Sequence, residues 1–294
     1  MGSILDLLGN TPLVEITNVI KKPGVKVYGK LEGQNPGGSV KDRPAYGMIK
    51  GALDRGEIKP GVRLVEATSG NTGIALAMIA RLFGLDITLV MPEDSTLERI
   101  QTMRAYGAEV VLTPAEKNIE YSREYAQSLV DQGTHFMLNQ FGNPDNWGEH
   151  YRTTGPEIWR DTNGKITHFV SSMGTTGTIM GVSRYLKEQN ADVRIVGVQP
   201  TDGSRIPGIR RWSPAFLPEI FDEDRVDQKI DVSQKEATDM MQRLAKEEAI
   251  FAGMSSGGAV AAAAKLVERI DEGVVVCIIC DRGDRYLSSG IFGI

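Results

Sequence analysis

The chain is poor in several residue types, and each shortage excludes something. It has two cysteines in 294 residues, Cys277 and Cys280, too few for a disulfide framework and in keeping with a reducing compartment. They lie three apart in the apolar run 274–280, which reads as a strand. Side chains alternate along a strand, so the two point to opposite faces, which argues against a redox pair or half a zinc site. The three histidines, His135, His150 and His168, show no ligand spacing. No apolar run approaches the roughly 20 residues of a membrane span. The start, residues 1–6, lacks the basic and apolar regions of a signal peptide, and Asp6 stands where myristoylation requires Ser or Thr. Excess basic charge is also missing: 33 basic against 38 acidic residues argue against a nucleic-acid or anionic-membrane partner. These readings place the protein in the cytoplasm.

What is present is a long α/β alternation. Hydrophobic residues make up 41% of the chain, enough for a substantial core, and the length suits two domains or one large α/β unit. Strand patterns at 62–67, 86–91, 109–112 and 135–139 alternate with helix patterns at 74–83, 95–106 and 119–132. A second series has strands at 168–172, 194–199 and 274–280 and helices at 179–188, 234–248 and 259–270. The Asn/Gly/Pro-rich segment 141–147 is the expected boundary between them. Such alternation implies parallel sheets covered by helices.

Ligands in such sheets sit at the carboxyl ends of strands, against helix N-termini. Three turns stand at those points. Thr68-Ser69-Gly70-Asn71-Thr72-Gly73 offers backbone N–H groups and hydroxyls that suit a carboxylate. Gly174-Thr175-Thr176-Gly177-Thr178 suits a phosphate monoester. It lacks a P-loop lysine, and Gly174, Gly177 and Gly181 miss the spacing of the dinucleotide fingerprint. Ser255-Ser256-Gly257-Gly258 reads as a turn with an N-cap serine before an Ala-rich helix.

The segment 35–43 adds a lysine. Asn35-Pro36-Gly37-Gly38 is a turn, Ser39 fits a helix N-cap, and Asp42 fits a variant capping box. Lys41 then falls in the first helical turn, where a cation opposes the helix dipole. Burial at a helix N-terminus lowers a lysine pKa, and a lysine must be neutral to attack an aldehyde. A solvated helix lysine is the alternative.

With these residues assembled, the chain resembles the β-family (fold type II) of pyridoxal-phosphate enzymes, and within it the cysteine synthases. The matching stretches are 9–13, 30–32, 35–43, 66–73 and 174–178, in order along essentially the whole length. Ile206-Pro207-Gly208-Ile209-Arg210-Arg211-Trp212 and residues 279–288 are similar to the B form of that family. Gly37-Gly38 replaces a more usual Ala-Gly, and Pro44 stands where Ala is common.

The resemblance implies two α/β domains with the cofactor in the cleft between them, the smaller spanning residues 36–145 and the larger residues 1–35 plus 146–294. It implies that Lys41 carries pyridoxal 5′-phosphate, that Asn71 bonds the ring hydroxyl and that Gly174, Thr175, Thr176, Gly177 and Thr178 hold the phosphate. Ser255 would face the ring nitrogen. Thr68, Ser69, Gly70, Thr72 and Gln140 would bind the substrate carboxylate. The implied reaction joins O-acetyl-L-serine to sulfide or thiosulfate, in a homodimer. Arg210, in the irregular basic loop, could meet a thiosulfate dianion. Rival readings are a sulfide-only synthase, a cystathionine β-synthase-like enzyme, a serine/threonine dehydratase, a dinucleotide oxidoreductase and a silent regulatory binder.

Overall fold

The computed structural model describes residues 2–68 and 70–293, apart from the side chain of Asn118. Ser69, expected in the carboxylate-binding turn, lies outside the described residues. The chain opens with β1 (Leu13–Glu15) and β2 (Val25–Leu31), then α1 (Asp42–Asp54). A βα series follows: β3 (Arg63–Ala67), α2 (Asn71–Leu82), β4 (Asp86–Pro92), α3 (Leu97–Ala105), β5 (Glu109–Thr113), α4 (Asn118–Asp131) and β6 (Phe136–Met137). After α5 (Pro144–Arg152) and α6 (Thr154–Asp161) come β7 (His168–Ser172), α7 (Gly177–Gln189), β8 (Arg194–Pro200), β9 (Gln228–Val232), α8 (Gln234–Glu248), α9 (Met254–Val267) and β10 (Gly273–Ile279).

Among the described residues these strands form two sheets, ordered β5-β4-β3-β6 and β1-β2-β10-β7-β8-β9. Every pairing is parallel except β1 with β2. The two-sheet α/β expectation therefore holds. Interior strands buried on both faces are continuously apolar, as in β4, buried from Ile87 to Pro92. Cys277 and Cys280 belong to different apolar clusters, the first packed with α8 and α9 and the second with α7, so they do point to opposite faces.

Several boundaries differ from the sequence reading, each for a local reason. Lys41 is the N-cap of α1, not a first-turn residue, and Ser39 is not the cap. Ser39 Oγ instead accepts from the Lys41 N–H, and Asp42 turns back to the Gly37 N–H instead of closing a capping box. The supposed turn 255–258 is the first part of α9, capped by the extended Gly253. Its glycines permit close packing: a Cβ on Gly257 would meet the backbone oxygen of Ala237. The segment 141–147, read from its Asn/Gly/Pro content as irregular, contains the start of α5, where Asn143 caps the helix and Pro144 occupies its first turn. Strands β1, β2 and β9 and helix α6 carry no clear pattern in the sequence reading.

This topology brings the ends of β3, β7 and β10 to one cleft between the sheets. Its cavity of about 1070 Å³ is lined by Lys41, Thr68, Asn71, Gln140, Thr175 and Ser255 among others.

Candidate active site

Lys41 is half-buried at the start of α1 and lines the cleft. Burial pushes its ammonium below the ordinary lysine value, against the opposing pull of Cys280, Asp281 and Glu32. An amine there is more often neutral than a surface lysine. Its position is fixed from behind by Arg43, two residues on. Arg43 is wholly buried, with Nε 2.7 Å from Glu32 and Nη1 2.7 Å from Glu157. Lys30, equally buried, lies 2.8 Å from Glu157. This ionic cluster pins α1 to β2 and α6.

Across the cleft, residues 174–178 form the entry to α7. Thr176 is its N-cap, with φ +72°, a left-handed conformation that β-branched residues seldom adopt. The bend aims the free N–H groups of the first turn of α7 outward. Thr176 Oγ1 is buried without a hydrogen-bond partner. A Cβ on Gly174 would lie 2.8 Å from Gly208 O, and one on Gly177 would collide with Asn146 Oδ1. A small, tightly walled cradle with donors and an orphaned hydroxyl fits a phosphate group. With a depressed lysine on the same cavity, the residues fit pyridoxal phosphate. Thr178 Oγ1 sits 3.2 Å from His150 Nε2, and Thr175 Oγ1 accepts from Asn146 Nδ2 at 3.3 Å. Burial holds the His150 imidazole down at about 3, so it is neutral.

Gly70 is the N-cap of α2, and Asn71 and Thr72 open the helix. Thr72 Oγ1 donates to Gln140 Oε1 at 2.9 Å, and the Gln140 side chain also hydrogen-bonds Glu66. Glu66, buried on β3, interacts with that side chain; burial raises its carboxyl to about 7 although Gln140 and Arg123 oppose the rise. Asn71 donates from Nδ2 to Asp281 Oδ2 at 2.7 Å, and its Oδ1 accepts from Arg285. Tyr286 OH donates to the same Asp281 oxygen at 2.7 Å. Asp281, Arg285, His150 and Glu66 have no role in the sequence reading. Three of them lay inside quoted motifs, so the signal was position within a motif; His150 gave none.

Ser255 is buried in the first turn of α9 and accepts through its backbone oxygen from Ser172 Oγ at 2.8 Å. Cys280, just beyond β10, lines the same cleft; burial pushes its thiol up to about 11, so it is protonated at neutral pH. Arg205, Arg210 and Arg211 of the loop after β8 all line the cleft, and they differ in their partners. Arg211 is committed to Asp202 at 3.2 Å, Asp231 at 2.7 Å and Pro200 O at 3.0 Å.

Residues 4–281 match the family described as pyridoxal-phosphate dependent enzyme. The chain is 58% identical to cysteine synthase B of Pseudomonas aeruginosa, over 99% of this chain and 97% of that one. It is 55% identical to cysteine synthase B of Escherichia coli, over 100% and 97%. Its fold matches the crystal structure of cysteine synthase from Entamoeba histolytica with a TM-score of 0.94, at 36% identity, covering 100% of this chain and 91% of that one. With a lysine, a phosphate cradle and a matching fold in one cleft, the chain belongs to the pyridoxal-phosphate dependent enzymes, among the cysteine synthases.

Proposed function

We propose that the protein makes L-cysteine from O-acetyl-L-serine and sulfide, and that thiosulfate serves as a second donor giving S-sulfo-L-cysteine. The observation that carries this reading is Lys41 on the same cavity as Gly174, Thr175 and Thr178 of the bend into α7. Bound pyridoxal phosphate would act as the electron sink that lets the substrate lose its α-proton and acetate. Lys41 Nζ takes that proton as general base and returns it after sulfur has added at the β-carbon. The 68–72 turn and the Gln140 amide hold the carboxylate, which orients the α-carbon toward Lys41. Asn71 meets the ring hydroxyl. Ser255, a neutral hydroxyl, faces the ring nitrogen and does not force it to carry a proton. Residues 174–178 hold the phosphate.

We take residues 36–145 as the smaller domain, which agrees with the apolar cluster running from Ala45 to Leu138. A homodimer suits the exposed Leu97 and Leu287, whose elements are joined by Glu98 and Ser288 at 2.7 Å. Light scattering at micromolar concentration distinguishes it from a monomer. Among the described residues no helix is long and apolar enough to cross a membrane; a cytoplasmic location accords with that.

The test is to supply O-acetylserine with sulfide and with thiosulfate, and to assay cysteine, S-sulfocysteine and pyruvate. Pyruvate as the main product would make the protein a dehydratase. Arg210→Ala should lower the thiosulfate rate more than the sulfide rate; equal losses would remove Arg210 from donor choice.

A further inference from the structure

One buried asparagine touches both arms of the site. The chain leaves β6 through a tight turn at 139–143. Asn139 takes a left-handed φ of +55°, which asparagine tolerates better than most residues. Its carbonyl oxygen accepts from the Gly142 N–H at 3.1 Å and from the Asn143 N–H at 2.9 Å. Gln140 sits inside this turn and lines the cleft. Asn146, in the first turn of α5, is 2% exposed. Its Nδ2 donates to Gln140 O at 2.6 Å and to Thr175 Oγ1 at 3.3 Å. A carbonyl oxygen can only accept, so the amide nitrogen must face Gln140 O.

The other half of that amide is unfavourable. Asn146 Oδ1 is buried with no hydrogen-bond partner. An aliphatic side chain of similar size would fill the same space without an orphaned acceptor. The amide is therefore explained by what its nitrogen holds. Both Nδ2 hydrogens are engaged, one on the carboxylate-binding side and one on the phosphate-binding side. Thr175 Oγ1 accepts from Asn146 and keeps its own proton to donate, and Thr175 lines the cleft. Helix α7 makes room for this amide. A Cβ on Gly177 would collide with Asn146 Oδ1, and one on Gly181, a turn further along the same face, would lie 2.7 Å from His150 Cβ. Two glycines thus let α5 and α7 approach closely.

We infer that Asn146 is a positioning residue that ties Gln140 to Thr175, so that the substrate-carboxylate arm and the phosphate cradle are held in one register. This inference rests on the cysteine synthase reading above. Through Thr175 the residue aims a hydroxyl at the phosphate. Through Gln140 O it fixes the backbone from which the carboxylate-binding amide extends. The two effects pass through different neighbours and are separable. Loss of the first weakens cofactor binding. Loss of the second weakens substrate binding with little effect on proton transfer at Lys41.

Two measurements on the full-length protein test this. One is pyridoxal phosphate affinity, by fluorescence titration of the apoprotein. The other is the steady-state constants of the holoenzyme with O-acetylserine and sulfide. Asn146→Ala should weaken cofactor affinity about fivefold, as for one neutral hydrogen bond. Thr175→Val should weaken it at least as much, and in that background Asn146→Ala should add less than about twofold. The KM for O-acetylserine should rise about fivefold in Asn146→Ala with kcat within about threefold, and the rise should persist in the Thr175→Val background. Asn146→Asp keeps the shape and sets an acceptor against Gln140 O; it should reproduce both losses, and it replaces Asn146→Ala in the cycle if that variant does not fold. An Asn146→Asp protein that behaves like the unaltered one means that the residue only fills space, and overturns the inference. So do cofactor losses that add across positions 146 and 175, or a KM that does not move. An unaltered protein that binds no pyridoxal phosphate is a separate result, which removes the cleft reading and this inference with it.

Discussion

Asn71 and Asp281 share a 2.7 Å hydrogen bond that crosses from the first residue of α2 to the residues just beyond β10. It joins the two sheets at the cleft floor and sets the orientation of the Asn71 amide. With Oδ1 held by Arg285 and one Nδ2 hydrogen held by Asp281, the second Nδ2 hydrogen is the one available to a ligand. Asp281→Ala should therefore weaken pyridoxal phosphate binding about tenfold, the worth of one hydrogen bond to a charged group. Asn71→Ala should do the same, and the double variant should be no worse than either single one. Fluorescence titration of the apoprotein measures all three; additive losses would mean the two act separately.

Lys41 should react with the cofactor aldehyde through its neutral amine. Its folded pKa is lowered, so the neutral fraction rises with pH and levels off below the ordinary lysine value of 10.5. Cofactor uptake by the apoprotein should rise with pH and reach its plateau early, as stopped-flow absorbance would record. Borohydride reduction followed by peptide mass spectrometry should mark Lys41 and no other lysine. Lys41→Ala should lower turnover by roughly a hundred- to ten-thousandfold, the range for loss of a general base.

Arg43→Met should be severely destabilising. It leaves Glu32 buried without its guanidinium partner and Glu157 with Lys30 alone, a loss of about 3–5 kcal/mol for a broken buried pair. Calorimetry should show Tm lower by roughly 10 °C. A shift under two degrees would mean the cluster contributes little to stability.

Glu66 should give stability a recognisable pH dependence. Its folded carboxyl sits at about 7 against an ordinary 4.5. Between those values the folded chain holds a proton that the unfolded chain releases, so the contribution of this group falls as pH rises through the window. Glu66→Gln removes the effect, and its stability relative to the unaltered protein should improve from pH 4.5 to 8, by up to about 3 kcal/mol. His150, neutral in the fold, has the opposite sign, losing stability on acidification below its ordinary 6.5. It is common to both proteins and cancels in the difference. Chemical denaturation of both at several pH values reads this directly; parallel curves would show that Glu66 ionises normally.

The alternation of strand and helix, the parallel sheets and the positions of the first two candidate turns at helix starts followed from the sequence by itself. Local patterns set them: apolar runs for β4 and β10, the 3.6-residue period of α8, and Gly/Thr clusters at strand ends. Helix α8 begins where its pattern does because Ser233 and Glu236 form a capping box, and it ends at Ala249, whose backbone turns left-handed. Strand β2 was not legible because Lys30 interrupts its apolar run, and only the tertiary fold supplies the Glu157 carboxylate that lets a lysine be buried there. The same applies to α9, whose Ser/Gly start reads as a turn until the close backbone of Ala237 explains why glycines stand inside a helix. Contacts between residues far apart in the chain decided how the loop arginines are partnered, that Asn71 is held by Asp281 and Arg285, and that Lys41 is desolvated. Those properties arise from charge, burial and distance across the cleft, which no local pattern encodes.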